Sequence, residues 1–450
     1  MRWLLNSAGL MAMLVGLTLS APGADAQMSL SSAVDLALRN DPRMKMAQAD
    51  VAKARGALSE ARDTYIPYVG ATGGYGTSTG VPLSIPILFS ISAQSLVFNF
   101  SQKDNLRAAQ AALNAAELSL QEMREQIAED VIVTYLDLEH EQRRKAAIAE
   151  EYGFATRLVE IVQARLNEGD DTRRELFKAK EAAAEIHYQR LLADDSAATL
   201  GDHLSRLVGL PKMQIVPDPA SVPPLPEPSA LSAEPQESFA IQAAFANAQS
   251  KQELAFGENR YKLRPSIGFG ANYSRIYTNH TNFITYYPTF AGKNYNDYSI
   301  GIHIDIPLFD MGHDAKGREA SADAVHARWE AESQKNQYLE GRVKLRHQLE
   351  ELQTMVEIAN DRQGIAKEDL DAVLAQLSAN NASIATAQLS PKDEQNARLA
   401  ERARFVDVLD AESGVQDATI HLMRQTGQLD AWLNNALHTP ATVAAKRITP

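Results

Sequence analysis

The sequence predicts a mainly α-helical protein that carries a membrane β-barrel portion and is internally duplicated. Three observations lead there. Short stretches alternate strictly between apolar and polar residues, most clearly Tyr298 to Phe309, YSIGIHIDIPLF. Ala- and charge-rich segments with helical periodicity run for tens of residues without a breaker. The order of elements in the first half then returns in the second.

The 450-residue chain opens with Arg2, a mostly apolar run from Leu4 to Leu19, and Ala24-Asp25-Ala26. That order predicts a signal peptide over residues 1–26, cut after Ala26 so that Gln27 leads. The run is short for a membrane span, so the mature chain is expected outside the cytoplasm. With no cysteine present, disulfides, thiolate metal sites, Cys nucleophiles and a lipid-modified Cys are excluded. The net charge of −13 is spread along the helical segments, which argues against nucleic acid as a partner. No later apolar run has the length of a transmembrane helix, so a membrane role requires a barrel.

Ser29 to Arg62 reads as helix, broken or kinked at Asp41-Pro42. After Pro67, Val69, Ala71 and Tyr75 alternate with Tyr68, Gly70, Thr72 and Gly74, a weak strand pattern. Val81 to Ser90, with two prolines, reads as a loop or strand rim, and Ile91 to Phe100 as a second strand. From Gln102 a helix runs to about Asn167. Its Leu106, Leu113, Leu120 and Ile127 stand seven apart, a coiled-coil stripe. About 65 residues at about 1.5 Å each give a rod of about 100 Å, which must pack against others along its length. Gly169 interrupts it, and Thr172-Arg173-Arg174-Glu175 restarts a helix as a T-x-x-E capping box. Gly209 and Pro211 end that helix, and Pro217 to Pro228 form a proline-rich linker.

Beyond the linker the pattern repeats. Arg62, Pro67 and Tyr75 correspond to Arg260, Pro265 and Tyr273; Phe98 and Arg107 to Phe309 and Arg318; Thr172, Glu175 and Ala179 to Ser390, Asp393 and Ala397. Ile267, Phe269, Ala271 and Tyr273 alternate as one strand, and Tyr298, Ile300, Ile302, Ile304 and Ile306 as the next, with a Tyr- and Asn-rich loop from Ile276 to Asp297 between them. Pro307 stops the last strand. Helix follows from about Gly312 towards Leu377, with Leu345, Leu349, Leu352 and Val356 as a stripe. Ser390, with Pro391 at N1, restarts a final helix expected to continue to about Leu437. The expected division is a signal peptide (1–26), a first repeat (27–216), a linker (217–233), a second repeat (234–438) and a tail (439–450).

Four strands cannot close a barrel, because side chains alone fill about eight. An open sheet in lipid would leave edge N–H and C=O groups unpaired at several kcal/mol each. The strands therefore call for self-association: two protomers supply eight, three supply twelve. The alternative is a soluble periplasmic coiled-coil structural protein without a transmembrane barrel, whose half-buried sheets would show the same alternation.

The order of elements resembles the TolC-type outer-membrane efflux family over nearly all of the mature chain. IPLFDMG with Arg318, Ala320 and Ala322 is similar to that family's second strand-to-helix junction. Arg165, Gly169, Thr172, Glu175 and Ala179 match its first helical tip, and FVDVLDAE from Phe405 its last helix. At the second tip Ser390, Asp393 and Ala397 match, but Ser383 and Ala387 stand where the family has Arg and Gly. The resemblance implies a homotrimer with a twelve-stranded barrel, contacting outer-membrane lipid and continued by a periplasmic α-barrel of long coiled-coil helices. It also implies docking to a periplasmic adaptor (membrane fusion) protein and an inner-membrane pump, as the passive exit duct of a tripartite efflux or type I secretion system.

On that basis Ile267, Phe269, Tyr273, Ile300, Ile302 and Ile304 are expected to face the membrane. Arg165, Gly169, Thr172, Glu175, Ser390 and Asp393 are the candidate adaptor contact, and Asp170 and Asp171 the candidate charge of a pore tip. His303 with Asp305, and His313 with Asp314, read as lumen-side polar residues. HARWEAE lacks the second His of a zinc-protease helix, and phosphate-binding glycine loops are absent. The expectation is a protein that is not an enzyme and needs no metal or cofactor.

Overall fold

The computed structural model describes residues 26–74, 87–210, 215–226, 237–261, 264–276, 288–290, 295–380 and 390–438. Residues 1–25 of the expected signal peptide, Tyr75, most of the loop between Ile276 and Asp297, Ser383, Ala387 and the expected tail lie outside the described residues. The helices are α1 (Leu30–Asn40), α2 (Pro42–Asp63), α3 (Phe100–Glu168), α4 (Arg173–Leu207), α5 (Phe239–Asn259), α6 (Met311–Asn380), α7 (Pro391–Gln425) and α8 (Leu429–His438). The strands are β1 (Ala26–Met28), β2 (Tyr68–Gly73), β3 (Ile87–Phe98), β4 (Ile215–Pro217), β5 (Ser266–Ile276) and β6 (Tyr295–Asp305). Two compact units result, and neither is one half of the sequence. Each gathers segments from both halves, and α3 and α6 contribute to both.

One unit, residues 42–124 and 236–342, holds the four-stranded sheet. Its order is β2-β3-β5-β6, antiparallel throughout. β3 begins at Ile87, earlier than the expected Ile91. Beside the sheet, Val51 and Leu58 of α2 pack on Leu113 of α3, with Leu106 and Leu120 against them. The seven-residue stripe is thus the packed face of α3. α5 is tied to α3 by polar contacts: Ser250 Oγ donates to Ala108 O at 2.9 Å and Ser101 Oγ to Gly257 O at 2.8 Å. The Glu122 carboxylate accepts from Ala240 N at 3.2 Å, placing negative charge at the α5 N-terminus.

The other unit, residues 1–41, 125–235 and 343–450, is the helical one. Along α3, Ile148 and Ala155 pack on Ile186 and Ala193 of α4, with Leu399 and Val406 of α7 against them. Leu349 of the predicted α6 stripe is buried, and Leu345, Leu352 and Val356 are half-buried. The final helix does not run unbroken to Leu437. Gly427 adopts φ 70°, Gln428 N donates back to Met423 O at 2.9 Å, and α8 starts afresh at Leu429. This is a Schellman ending, which a glycine in the left-handed region permits at little strain. β1 pairs in parallel with β4, a contact that two three-residue strands are too short to announce. Tyr135, fully buried, holds both: its Oη donates to Met28 O and receives Asp218 N–H, each at 2.7 Å. The start of the proline-rich segment is therefore docked, and Trp432 Nε1 donates to Pro224 O at 3.2 Å further along.

Candidate functional site: a two-faced sheet and a helical tip

Strict alternation puts alternate residues on opposite faces, and the register sorts the whole sheet. Ile304 pairs with Ile267, Ile302 with Phe269, Ile300 with Ala271 and Tyr298 with Tyr273. Ala271 and Tyr273 then pair with Ala93 and Ile91, and those with Val69 and Ala71 of β2. One face is therefore apolar across all four strands. It is also open: Ile300 is 78%, Ile302 70% and Ile304 64% exposed. Tyr298 and Tyr273 stack with ring centroids 5.0 Å apart. All six residues expected to face the membrane lie on this face.

The opposite face carries Ser90, Ser92, Gln94, Asn272, Ser274, Ser299, His303 and Asp305, with glycines between. Ser90 Oγ donates to Asn272 Oδ1 at 2.9 Å, and Asn272 Nδ2 to Ser274 Oγ at 2.8 Å. The His303 ring lies over Gly268 where a Cβ would sit, so a larger residue on that rung would require the ring to swing aside. β2 and β6 are the edges, each paired on one side only.

The tip belongs to the helical unit and is built by a turn. Gly169 takes φ 90°, which lets Asp170 N donate to Arg165 O at 2.9 Å and close α3. Thr172 Oγ1 then accepts from Glu175 N at 3.3 Å and opens α4. The far half of the expected box is not formed there, because the Glu175 carboxylate is engaged by Lys178 at 3.1 Å and Lys392 at 3.2 Å. At α7, Asp393 Oδ2 accepts from both Ser390 N (2.8 Å) and Ser390 Oγ (2.9 Å).

Asp171 does not project from the tip as the sequence suggested. Its carboxylate accepts from Arg165 Nε at 3.0 Å and Lys392 Nζ at 3.3 Å, and its side chain is only 10% exposed. Burial alone would raise its pKa, but the hydrogen bonds from Arg165 and Lys392 hold it below the usual carboxylate range. Glu175 is likewise held low by its bonds to Lys178 and Lys392. Burial opposes charge on Lys392, yet its bonds to Glu175 and Asp171 raise its pKa. Asp170 remains exposed. The structure thus brings together Arg165, Asp171 and Glu175, and adds Lys392, which sequence reasoning missed. A partner 221 residues away leaves no local pattern to find.

Among the described residues, no cluster of three or more His, Cys, Asp and Glu could hold a metal ion. No described helix is long and apolar enough to cross a membrane.

Comparison with known proteins finds similarity, in part of the sequence and in the fold, to outer membrane efflux proteins. Residues 33–210 match the outer membrane efflux protein family. The chain is 23% identical over 418 residues to the outer membrane efflux protein BepC of Brucella suis, covering 88% of this chain and 81% of that one. Its fold is similar to that of VceC, an outer membrane protein of Vibrio cholerae (TM-score 0.69, 17% identity, 90% of this chain and 95% of the other). It is also similar to the CmeC outer membrane channel of Campylobacter jejuni (TM-score 0.66, 16% identity, 89% and 86%). The resemblance carried by the sequence motifs is thus matched by similarity to proteins described as outer membrane efflux proteins.

Proposed function

We propose that the chain is the outer-membrane exit duct of a tripartite efflux or type I secretion system, assembled as a homotrimer. The single observation that carries this reading is the sheet: a continuous apolar face opposite a continuous polar one, with two unsatisfied edges. In lipid those edges must pair, and three copies of four strands give a twelve-stranded barrel whose polar faces line water. A soluble coiled-coil protein would bury such a face, whereas Ile300, Ile302 and Ile304 are open. Transport through the duct is passive, with energy supplied by an inner-membrane pump reached through a periplasmic adaptor.

The adaptor contact falls at the tip, on Arg165, Gly169, Thr172, Glu175, Ser390 and Asp393. Asp170 and Asp171 lend the tip its charge, and Asp170 carries most of the field because Arg165 and Lys392 balance Asp171 locally. Each half of the chain is one structural repeat, and the two tips of a protomer differ in chemistry. Purified protein in planar bilayers tests the reading: discrete water-filled conductance is expected, and a protein that inserts but never conducts would overturn it.

A further inference from the structure

Away from both sites, α3 and α7 run antiparallel within the helical unit and meet in a ladder of charged side chains. Glu129 accepts from Arg424 at 2.6 Å and meets His421 Nδ1 at 2.7 Å. Further along, Asp410 meets His140 Nε2 and Arg144 Nε, each at 3.2 Å. Between these two ion-pair groups lie Asp137 of α3 and Asp417 of α7, with their carboxyl groups within hydrogen-bonding reach of one another. Asp417 Oδ1 is buried, and no donor among the described residues reaches it. Two carboxylates are both acceptors, so a bond between them requires a proton on one.

We propose that Asp137 and Asp417 share one proton across the α3–α7 seam, so that the packing of these two helices depends on pH. Burial is the main influence on both groups, and like charge adds to it: Asp417 is pushed up to about 7, and Asp137 is raised. The groups acting on the pair are His140 and Glu141 from α3 and His421 from α7. From α6 the neighbour of this part of α7 is the apolar Leu352, close to Gly414. His421 titrates in the same sense, its pKa raised chiefly by the hydrogen bond to Glu129.

The sign follows from proton binding. A carboxyl that keeps its proton in the folded state, where the unfolded chain has lost it, stabilises less and less as pH rises from about 3.8 to about 7. A histidine with a raised pKa contributes fully below 6.5 and loses its contribution as pH climbs through the folded value. Both loosen the seam towards alkaline pH. The pair titrates as a unit, so the apparent transition belongs to neither aspartate alone.

The test uses the full chain in detergent, in a Glu151→Gln background that removes another seam carboxyl raised by burial. Infrared difference spectra between pH 6 and pH 8.5 should show a protonated carboxyl band that disappears on the alkaline side. Asp417→Asn, whose amide can donate to Asp137 as the shared proton does, should abolish the band. Hydrogen exchange of α7 amides, corrected for intrinsic pH dependence, should lose roughly tenfold in protection over that range in the parent and clearly less in Asp417→Asn, where the His421 contribution remains. A parent spectrum without the band overturns the proposal, whatever the variants do. So does an alkaline loss of protection that persists unchanged in Asp417→Asn, or in Asp137→Asn should the first variant not fold. Conductance enters none of these readouts, so failure of the channel reading and failure of the shared proton are separable.

Discussion

Asp171 and Asp170 are adjacent in sequence and unlike in circumstance. Asp171 is bound by two cations, while Asp170 stands in solvent. Charge-assisted hydrogen bonds contribute about 1.5–3 kcal/mol each, so Asp171→Asn should destabilise the tip while Asp170→Asn leaves its stability nearly unchanged. Hydrogen exchange of the Arg165 to Glu175 segment distinguishes the two. The pH dependence has a definite sign. Asp171 and Glu175 have lowered values, so their contribution is complete above the ordinary 3.8 and 4.5 and is lost as pH falls through the folded values. Lys392 has a raised value, so its share persists through neutral pH and fails only on the alkaline side of 10.5. On conductance the order reverses: Asp170→Asn should reduce cation selectivity more than Asp171→Asn. The effect should fade as salt shortens the Debye length from about 10 Å at 0.1 M to about 3 Å at 1 M. Equal reversal potentials for wild type and both variants would place the selectivity elsewhere.

At the level of elements, Tyr135 shows what a single side chain contributes to a junction. Its hydroxyl satisfies Met28 O and Asp218 N at once. Tyr135→Phe removes both short hydrogen bonds and leaves Asp218 N–H and Met28 O only their own 3.3 Å contact, which should cost about 0.5–1.5 kcal/mol and lower the thermal midpoint of the detergent-solubilised protein. An unchanged midpoint would mean that the Tyr135 hydroxyl adds nothing to the β1–β4 pairing. None of this was legible in the chain, because the contact joins three distant segments and each strand is three residues long. The long elements were legible for the opposite reason. Period two in β5 and β6 and period seven in α3 are repeated physical constraints, so an error at one residue does not erase them. Boundaries were legible only where a breaker is joined by a second signal. Gly169 followed by Thr172 marks an end and a start together, whereas Gly427 stands between Thr426 and Gln428 with no capping box or proline after it, and so gives no second signal. The Asp137–Asp417 contact and Lys392 depend on how helices from opposite halves of the chain meet, which no spacing along the sequence encodes.

At the scale of the molecule, the single chain leaves two kinds of surface unmatched. The sheet has unpaired edges at β2 and β6, and the helical unit has open apolar residues on two helices. On α4 these are Phe177, Tyr188, Leu191 and Leu192; on α6 they include Met355, Ile358 and Ile365. The open apolar residues of the helical unit call for neighbours of their own, and the sheet edges are matched if copies join edge to edge, β2 of one beside β6 of the next. Such a contact is head to tail and must close into a ring to remain finite. Three copies close it with twelve strands, whereas two would give eight and fill the lumen with side chains. Detergent-extracted protein should therefore have a protein mass near three mature chains by light scattering. Arginine placed on the lipid side should disturb this assembly. Ile302→Arg or Ile304→Arg should each cost about 2–4 kcal/mol per protomer near the bilayer midplane. Ser299→Arg, on the polar face of the same strand, should leave the trimer intact. A stable detergent-free monomer at micromolar concentration, or equal tolerance of arginine on the two faces, would mean that the apolar face does not meet lipid.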